Sequence, residues 1–289
     1  MKVSELWPWF FTGGLILLII GGGFWGFAYQ DTETLSRLES AELLDPAQAA
    51  ARGDHPGPVK VAGRLGARQP ARLPETGEQV VYGRVTIQAT RKTVEGGQTT
   101  YRTTTLRDAV VTAVEPWIEG TAGGARLPVA VDGAEIVAAV EVIPLEPEIR
   151  GSALRGEPYR IRYGDQVLEW VPPQVMGDPL VMVVEDSFEA HKLVLQPGAE
   201  VVAVGALQGG GLVAPPEGTL VIYAGQEEQI ASAAAARVSW MMPLAKVLLV
   251  LAALSLLAAL VTGLMGCREQ TAARSHATST ETTDGAVPL

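Results

Sequence analysis

The sequence predicts a mainly β domain, a small barrel or sandwich, inserted between two transmembrane α-helices. Three observations carry that expectation. Two long apolar blocks lie near the ends of the 289 residues. Between them run short segments that alternate apolar and polar residues, separated by Gly and Pro turns. The charge is unevenly placed: Asp31–Trp240 holds 18 basic and 28 acidic residues, which equals the whole net charge of −10. A mean hydropathy of +0.20 is unusual for so acidic a chain, and the two blocks explain it.

The first block, Trp7–Tyr29, contains no charge. At about 1.5 Å per residue it can cross a hydrocarbon layer of roughly 30 Å. Trp7, Trp9, Phe10 and Phe11 crowd one end, and Phe24, Trp25, Phe27 and Tyr29 the other. Aromatic rings at both interfaces mark a spanning helix. A cleaved signal peptide, with Gly26-Phe27-Ala28 at the cut, fits less well because the apolar core is too long.

Asp31–Pro56 reads as a helical linker, capped by Thr32 or Thr34, with Leu35, Leu38, Leu43 and Leu44 as its apolar stripe. The β-rich region is placed at 58–225. Its strands are predicted at Val59–Leu65, Val81–Ala89, Thr99–Thr105, Leu127–Val131, Ile136–Ile143, Tyr159–Tyr163, Val167–Trp170, Leu180–Glu185, Lys192–Leu195, Val201–Leu207 and Thr219–Tyr223. Glu95-Gly96-Gly97 turns one strand back on the next as a hairpin. Gly63-Arg64-Leu65 and Gly205-Ala206-Leu207 are read as barrel corners, because glycine within a strand marks a bulge or bend. A juxtamembrane helix is expected at 226–242, handing on to a second span at 247–265. Residues 268–289, rich in Thr, Ser and Ala, are expected to be disordered.

Small residues recur along the spans. Gly14, Gly22 and Gly26 share a stripe of the first, and Ser255, Ala259 and Gly263 a stripe of the second. Such spacing lets helix backbones approach closely, so these residues are the expected packing contacts.

Candidate chemistry is sparse. Glu185-Asp186-Ser187-Phe188-Glu189-Ala190-His191 places three carboxylates, a hydroxyl and an imidazole together. Glu185, Asp186, Glu189 and His191 could bind a divalent ion or form an acid/base pair, as in a membrane-tethered metal-dependent hydrolase. The plainer reading, a polar loop between two strands, is preferred because no second ligand set supports a metal. The chain carries no Gly-x-Ser-x-Gly word, and Gly209-Gly210-Gly211 reads as a hairpin turn. Trp170 is expected in the core, and Arg150, Arg155, Arg160 and Arg162 on a solvated strand face. No catalytic residue, metal or cofactor is assigned. One Cys excludes an internal disulfide, and the acidic balance argues against nucleic acid.

Certain words resemble the GIDE-domain membrane proteins, mitochondrial E3 ubiquitin ligases and their prokaryotic relatives. They are Val59-Lys60-Val61-Ala62-Gly63, Glu78-Gln79-Val80-Val81-Tyr82-Gly83-Arg84-Val85 and Leu195-Gln196-Pro197-Gly198-Ala199-Glu200-Val201-Val202-Ala203-Val204-Gly205, followed by Thr219–Tyr223 leading to the second span. The resemblance covers roughly Leu43–Met265. It implies a β domain on the extracytoplasmic side of a cell (inner) membrane and both termini in the cytoplasm. The basic residues near the spans leave that orientation undecided by themselves. The ligases carry a RING with eight Cys/His ligands, whereas here His276 is the only such residue after Cys267. The chain is thus expected to be a prokaryotic-type member without the RING. It would act as a non-enzymatic binding or scaffold module whose partners are the bilayer and a protein or a second copy. A ligase-like role by descent is the alternative.

Overall fold

The structure is a computed structural model that describes residues 6–95, 97–120, 124–151, 157–173 and 181–280. Gly96 of the expected hairpin turn, Arg155, and the last residues of the tail lie outside that set. The chain forms two units, one of residues up to Ser36 together with those from Ala231, the other Arg37–Ile230.

The helical unit pairs the apolar parts of α1 (Trp7–Ser40) and α3 (Glu227–Thr280). Both are long and apolar enough to cross a bilayer. The helices run antiparallel, with Phe10 beside Ser255 and Asp31 beside Arg237. Their seam is built from small residues seven apart: Gly14, Gly21 and Ala28 on α1, and Ala245, Ala252 and Ala259 on α3, all buried. A seven-residue repeat keeps one face toward a partner helix, as in a left-handed coiled pair. A Cβ on Gly14 would come 2.9 Å from Leu256 Cγ, and one on Gly21 3.1 Å from Leu248 Cβ. Ser255 Oγ donates to the Phe10 carbonyl at 2.7 Å, and Arg237 grips Asp31 with two bonds of 2.7 and 2.8 Å.

The small residues expected to pack fall in different places on the two helices. Gly14, Ser255 and Ala259 lie on the seam, but a Cβ at Gly22, Gly26 or Gly263 meets nothing within 4 Å. Four-residue spacing drifts round a helix, whereas the seam follows every seventh residue. Gly21→Leu should accordingly loosen the helix pair, while Gly22→Leu leaves it intact. Disulfide trapping between paired cysteines near Phe24 and Trp240, whose rings lie 5.9 Å apart, reads the difference.

α1 does not end near Tyr29 but continues to Ser40, so no cap forms at Thr32 or Thr34; Thr32 instead donates back to the Ala28 carbonyl. The rest of the expected linker divides into β1 (Glu42–Leu44) and a two-turn α2 (Pro46–Arg52). Asp45 caps α2 and Gln48 returns the bond, a capping box. Toward the C-terminus α3 absorbs the juxtamembrane helix and second span and extends to Thr280, beyond the expected start of disorder at Arg268.

The β unit opens with β2 (His55–Gln69), β3 (Ala71–Arg72), β4 (Gln79–Val80), β5 (Tyr82–Glu95), β6 (Gln98–Thr112) and β7 (Val114–Glu119). Five short strands follow: β8 (Arg126–Pro128), β9 (Glu135–Val137), β10 (Glu141–Leu145), β11 (Pro147–Ile149) and β12 (Tyr159–Tyr163). The last are β13 (Gln166–Trp170), β14 (Val181–Leu195), β15 (Glu200–Gln208), β16 (Gly211–Val213) and β17 (Val221–Ala224).

Both halves of the barrel-or-sandwich expectation occur. The largest sheet runs β8-β7-β2-β15-β17-β9, with β16 also on β15. A bridge from Val129 to Leu212 joins the end of β8 to β16, so the path β8-β7-β2-β15-β16 closes into a small barrel. Val59, Val61, Leu65, Ile118, Leu127, Ala203 and Leu212 fill it. The two predicted corners sit where backbones crowd. A Cβ on Gly63 would collide with the Glu119 carbonyl, and one on Gly205 with that of Val213. Only glycine lets strands approach so closely.

Beside the barrel a sheet in the order β10-β14-β5-β6 packs against β11-β12-β13. Ala89 and Phe188 of the first meet Ile161 and Trp170 of the second. The predicted Ile136–Ile143 strand is broken between β9 and β10, which belong to different sheets. The largest difference is β14: Glu185–His191 is the middle of one long strand and not a loop.

Candidate functional site

Strand alternation divides the predicted cluster. Asp186, Phe188 and Ala190 stand opposite Arg91, Ala89 and Ile87 of β5, which are all buried, so these residues point inward. Glu185, Glu189 and His191 point to the other face. The His191 and Glu189 side chains approach to 3.4 Å without a hydrogen bond to His191 Nε2. Among the described residues no group of three or more His, Cys, Asp or Glu side chains is placed to hold a metal ion. The four residues therefore do not converge on one reacting centre.

Asp186 has a different role. Its carboxylate accepts two bonds from Arg91, at 2.8 and 3.0 Å, with the side chains 2% and 6% exposed respectively. Arg91 also donates to the Pro173 carbonyl at 2.6 Å and lies 5.3 Å above the Trp170 ring. Trp170, Tyr159 and Phe188 form an aromatic cluster with centroids 5.2–5.7 Å apart. Burial, together with the bond to Asp186, holds the Tyr159 hydroxyl above its ordinary pKa. This is a buried ion pair roofed by aromatic rings, and it locks β5, β13 and β14 together. Trp170 is a core residue, as expected.

A second polar group lies on the inward face. Glu75 is fully buried and accepts from Arg107 Nε at 2.9 Å. Lys192 binds Glu78 at 2.6 Å and Glu141 at 3.5 Å. The Lys192 ammonium and Gln196 hold Glu78 below the ordinary Glu value of 4.5, and Glu78 in turn raises Lys192 above 10.5. The carboxylate's contribution to stability is thus complete above pH 4.5 and is lost as pH falls through the lowered folded value. That of Lys192 is complete below 10.5 and is lost as pH rises past its raised value. Glu78→Gln should lower the neutral plateau of a melting-temperature profile while changing its acid end less, so that the acid limb flattens.

The expected basic patch is paired. Arg160 binds Glu169 and Arg162 binds Glu148, while Arg150 is exposed. The Gly209-Gly210 turn forms as expected, with φ of 61° and 76°, and Gly209 N donates to Asp54.

A groove lies elsewhere, beside the barrel strands β7, β8 and β16. Its volume is about 480 Å³, and it is lined by Pro116, Trp117, Arg126, Pro128, Val129 and Val213, among others. Its walls are mostly apolar. Trp117 lies over Gly66, where a Cβ would come 2.6 Å from the indole nitrogen, and Arg126 covers the ring at 4.3 Å. At the rim Glu115 holds φ at +51°, a conformation that costs a non-glycine residue about 1–3 kcal/mol. Apolar walls with a few charged groups at the edge suit a ligand or peptide contact. The Glu115-Pro116-Trp117 and Arg126-Leu127-Pro128 words were the available signal, but a lone Trp beside Pro carries little weight before β7 is recognised as a strand.

No family model, curated protein or solved structure matches the chain.

Proposed function

We propose that the chain is a two-span membrane protein that presents its acidic β domain as a non-enzymatic binding or scaffold module. One observation carries the membrane part. In each apolar helix only 11% of the most hydrophobic window is buried, and Leu, Ile, Phe and Trp side chains cover the outside of the pair. A core helix of a soluble protein would bury that surface, and a signal sequence accounts for only the N-terminal helix. Hydrocarbon satisfies it, because a helix bonds its own backbone. The β unit has its own filled cores, so it needs no lipid. The Trp117 groove, with its mostly apolar walls and charged rim, supports the binding reading.

On this reading the β domain lies extracytoplasmically at a cell (inner) membrane with both termini in the cytoplasm, the topology of the GIDE-domain proteins it resembles. Kinship with that family is part of the proposal. A ligase-like role has no supporting observation. The hydrolase alternative is weakened by the separation of Asp186 from Glu185, Glu189 and His191.

Alkaline carbonate extraction of membranes from cells making the full chain tests the first element. The protein should stay in the pellet, and release into the supernatant would contradict membrane integration.

A further inference from the structure

Among the described residues, most strands at the ends of the sheets are short or carry proline. Among the described residues β8, β9 and β11 have three residues each, and β10 and β13 five. β8, β10 and β11 also carry Pro128, Pro144 and Pro147. Short edges and prolines are how proteins prevent unwanted strand pairing. β6 has neither. It is 15 residues long, holds no Pro or Lys, and forms the outer edge of the β10-β14-β5-β6 sheet. Its first eight residues, Gln98–Thr105, are all exposed, and five of them are Thr. Thr and Tyr favour extended backbone. Only one bulge interrupts its pairing with β5, beyond Thr105.

We propose that this edge is an interface between two copies of the chain, joined by antiparallel pairing of β6 with β6 into one continuous eight-stranded sheet. The inference rests on reading the β domain as a binding module and names its partner. The sequence of the edge favours a second copy. Opposite residues in a sheet must share a face, so the two-fold axis must pass between a residue and its own copy. An axis at Arg102 would set two like charges directly opposite, which destabilises a sheet. An axis at Tyr101 or Thr103 sets Arg102 against Thr100 or Thr104 of the partner, with no charge conflict. Tyr101 then faces either its copy or Thr105, both favourable cross-strand pairs. Arg102 is the single charge in Gln98–Thr105, so this stretch also escapes the repulsion expected between two domains of net negative charge. Two anchored copies share a plane, which raises their encounter rate.

The experiment uses the full chain in detergent micelles and in native membranes, with Cys267→Ser removing the one native thiol. Light scattering should give a protein mass twice the 30.5 kDa chain. Oxidation should link copies through Tyr101→Cys or Thr103→Cys, since directly opposite residues lie within disulfide reach. Arg102→Cys and Val142→Cys, the latter on the opposite edge of the sheet, should not crosslink. Thr103→Lys should halve the mass while leaving the melting temperature of the β unit nearly unchanged. A monomeric chain over the working concentration range would overturn the proposal. So would a dimer that neither cysteine traps, or an extended foreign segment bound along β6. Carbonate extraction is independent of these outcomes, so a monomer that stays in the pellet contradicts the pairing alone.

Discussion

Asp186→Ala is expected to destabilise the β unit by about 3–5 kcal/mol, because it leaves the Arg91 guanidinium buried without its carboxylate. The pair is almost wholly enclosed, so solvent cannot take over the lost bonds. The Pro173 carbonyl remains as one acceptor, and the Trp170 face offers only a weak substitute. For a domain of this size the change amounts to a fall of roughly 10 °C in melting temperature. The double replacement Arg91→Met with Asp186→Leu removes both charges and keeps the volume, and it should recover most of the loss. Calorimetry of the parent, the single variant and the double variant gives the comparison. If the single variant melted like the parent, the buried pair would not hold β5 and β14 together. Glu185→Ala, on the outer face of the same strand, should change stability little.

Gly164→Ala is expected to be at least as severe as other single changes outside the core, with a loss of about 3 kcal/mol. Gly164-Asp165 joins β12 to β13 in a two-residue turn, with Gly164 at φ +57° and Asp165 at negative φ, the type II′ arrangement. A side chain there would be strained in any protein. Here its Cβ would also fall on the main-chain carbonyl of Glu75, which cannot swing away as a side chain can. That carbonyl accepts from Asp165 N at 3.1 Å, and the Glu75 carboxylate is held by Arg107. Making room must therefore disturb the turn and the buried pair together. Gly210→Ala is the matched control, since its φ of +76° imposes similar strain but its Cβ meets nothing within 4 Å. It should cost about 1 kcal/mol. Equal melting temperatures for the two variants would show that the clash with Glu75 has no consequence.

How far these features could be read in the sequence depends on whether their cause is local. The Gly164-Asp165 turn, the Gly209-Gly210 turn and the long hairpin are set by adjacent residues, and alternation or turn chemistry reveals them. The two apolar helices are legible for the same reason. The burial of Asp186 is not legible locally, because charge inside a strand normally argues against burial. Its partner Arg91 lies 95 residues earlier, out of reach of any local pattern. The break after Val137 also depends on distant partners, since β9 joins β17 while β10 joins β14. The helix seam was displaced for a subtler reason. Gly22 and Gly26 satisfy the small-residue rule, but which face of a helix meets its neighbour is decided by the neighbour. Seven-residue spacing in both helices, with Gly14, Gly21 and Ala28 set against Ala245, Ala252 and Ala259, was the pattern to weigh. The Trp117 groove joins β7, β8 and β16, three short strands whose closure by the Val129–Leu212 bridge no sequence window contains.

The central claim is that two spans place the β domain on one side of a membrane and the chain ends on the other. A membrane-impermeant thiol reagent applied to intact cells tests it most directly. One protein keeps Cys267 alone, and a second carries Val142→Cys in a Cys267→Ser background. Val142 is exposed on β10, so the substituted thiol is open to the reagent. The account predicts that position 142 is labelled from outside and that Cys267 is labelled only after the membrane is opened. Labelling of both positions from the same side would contradict it.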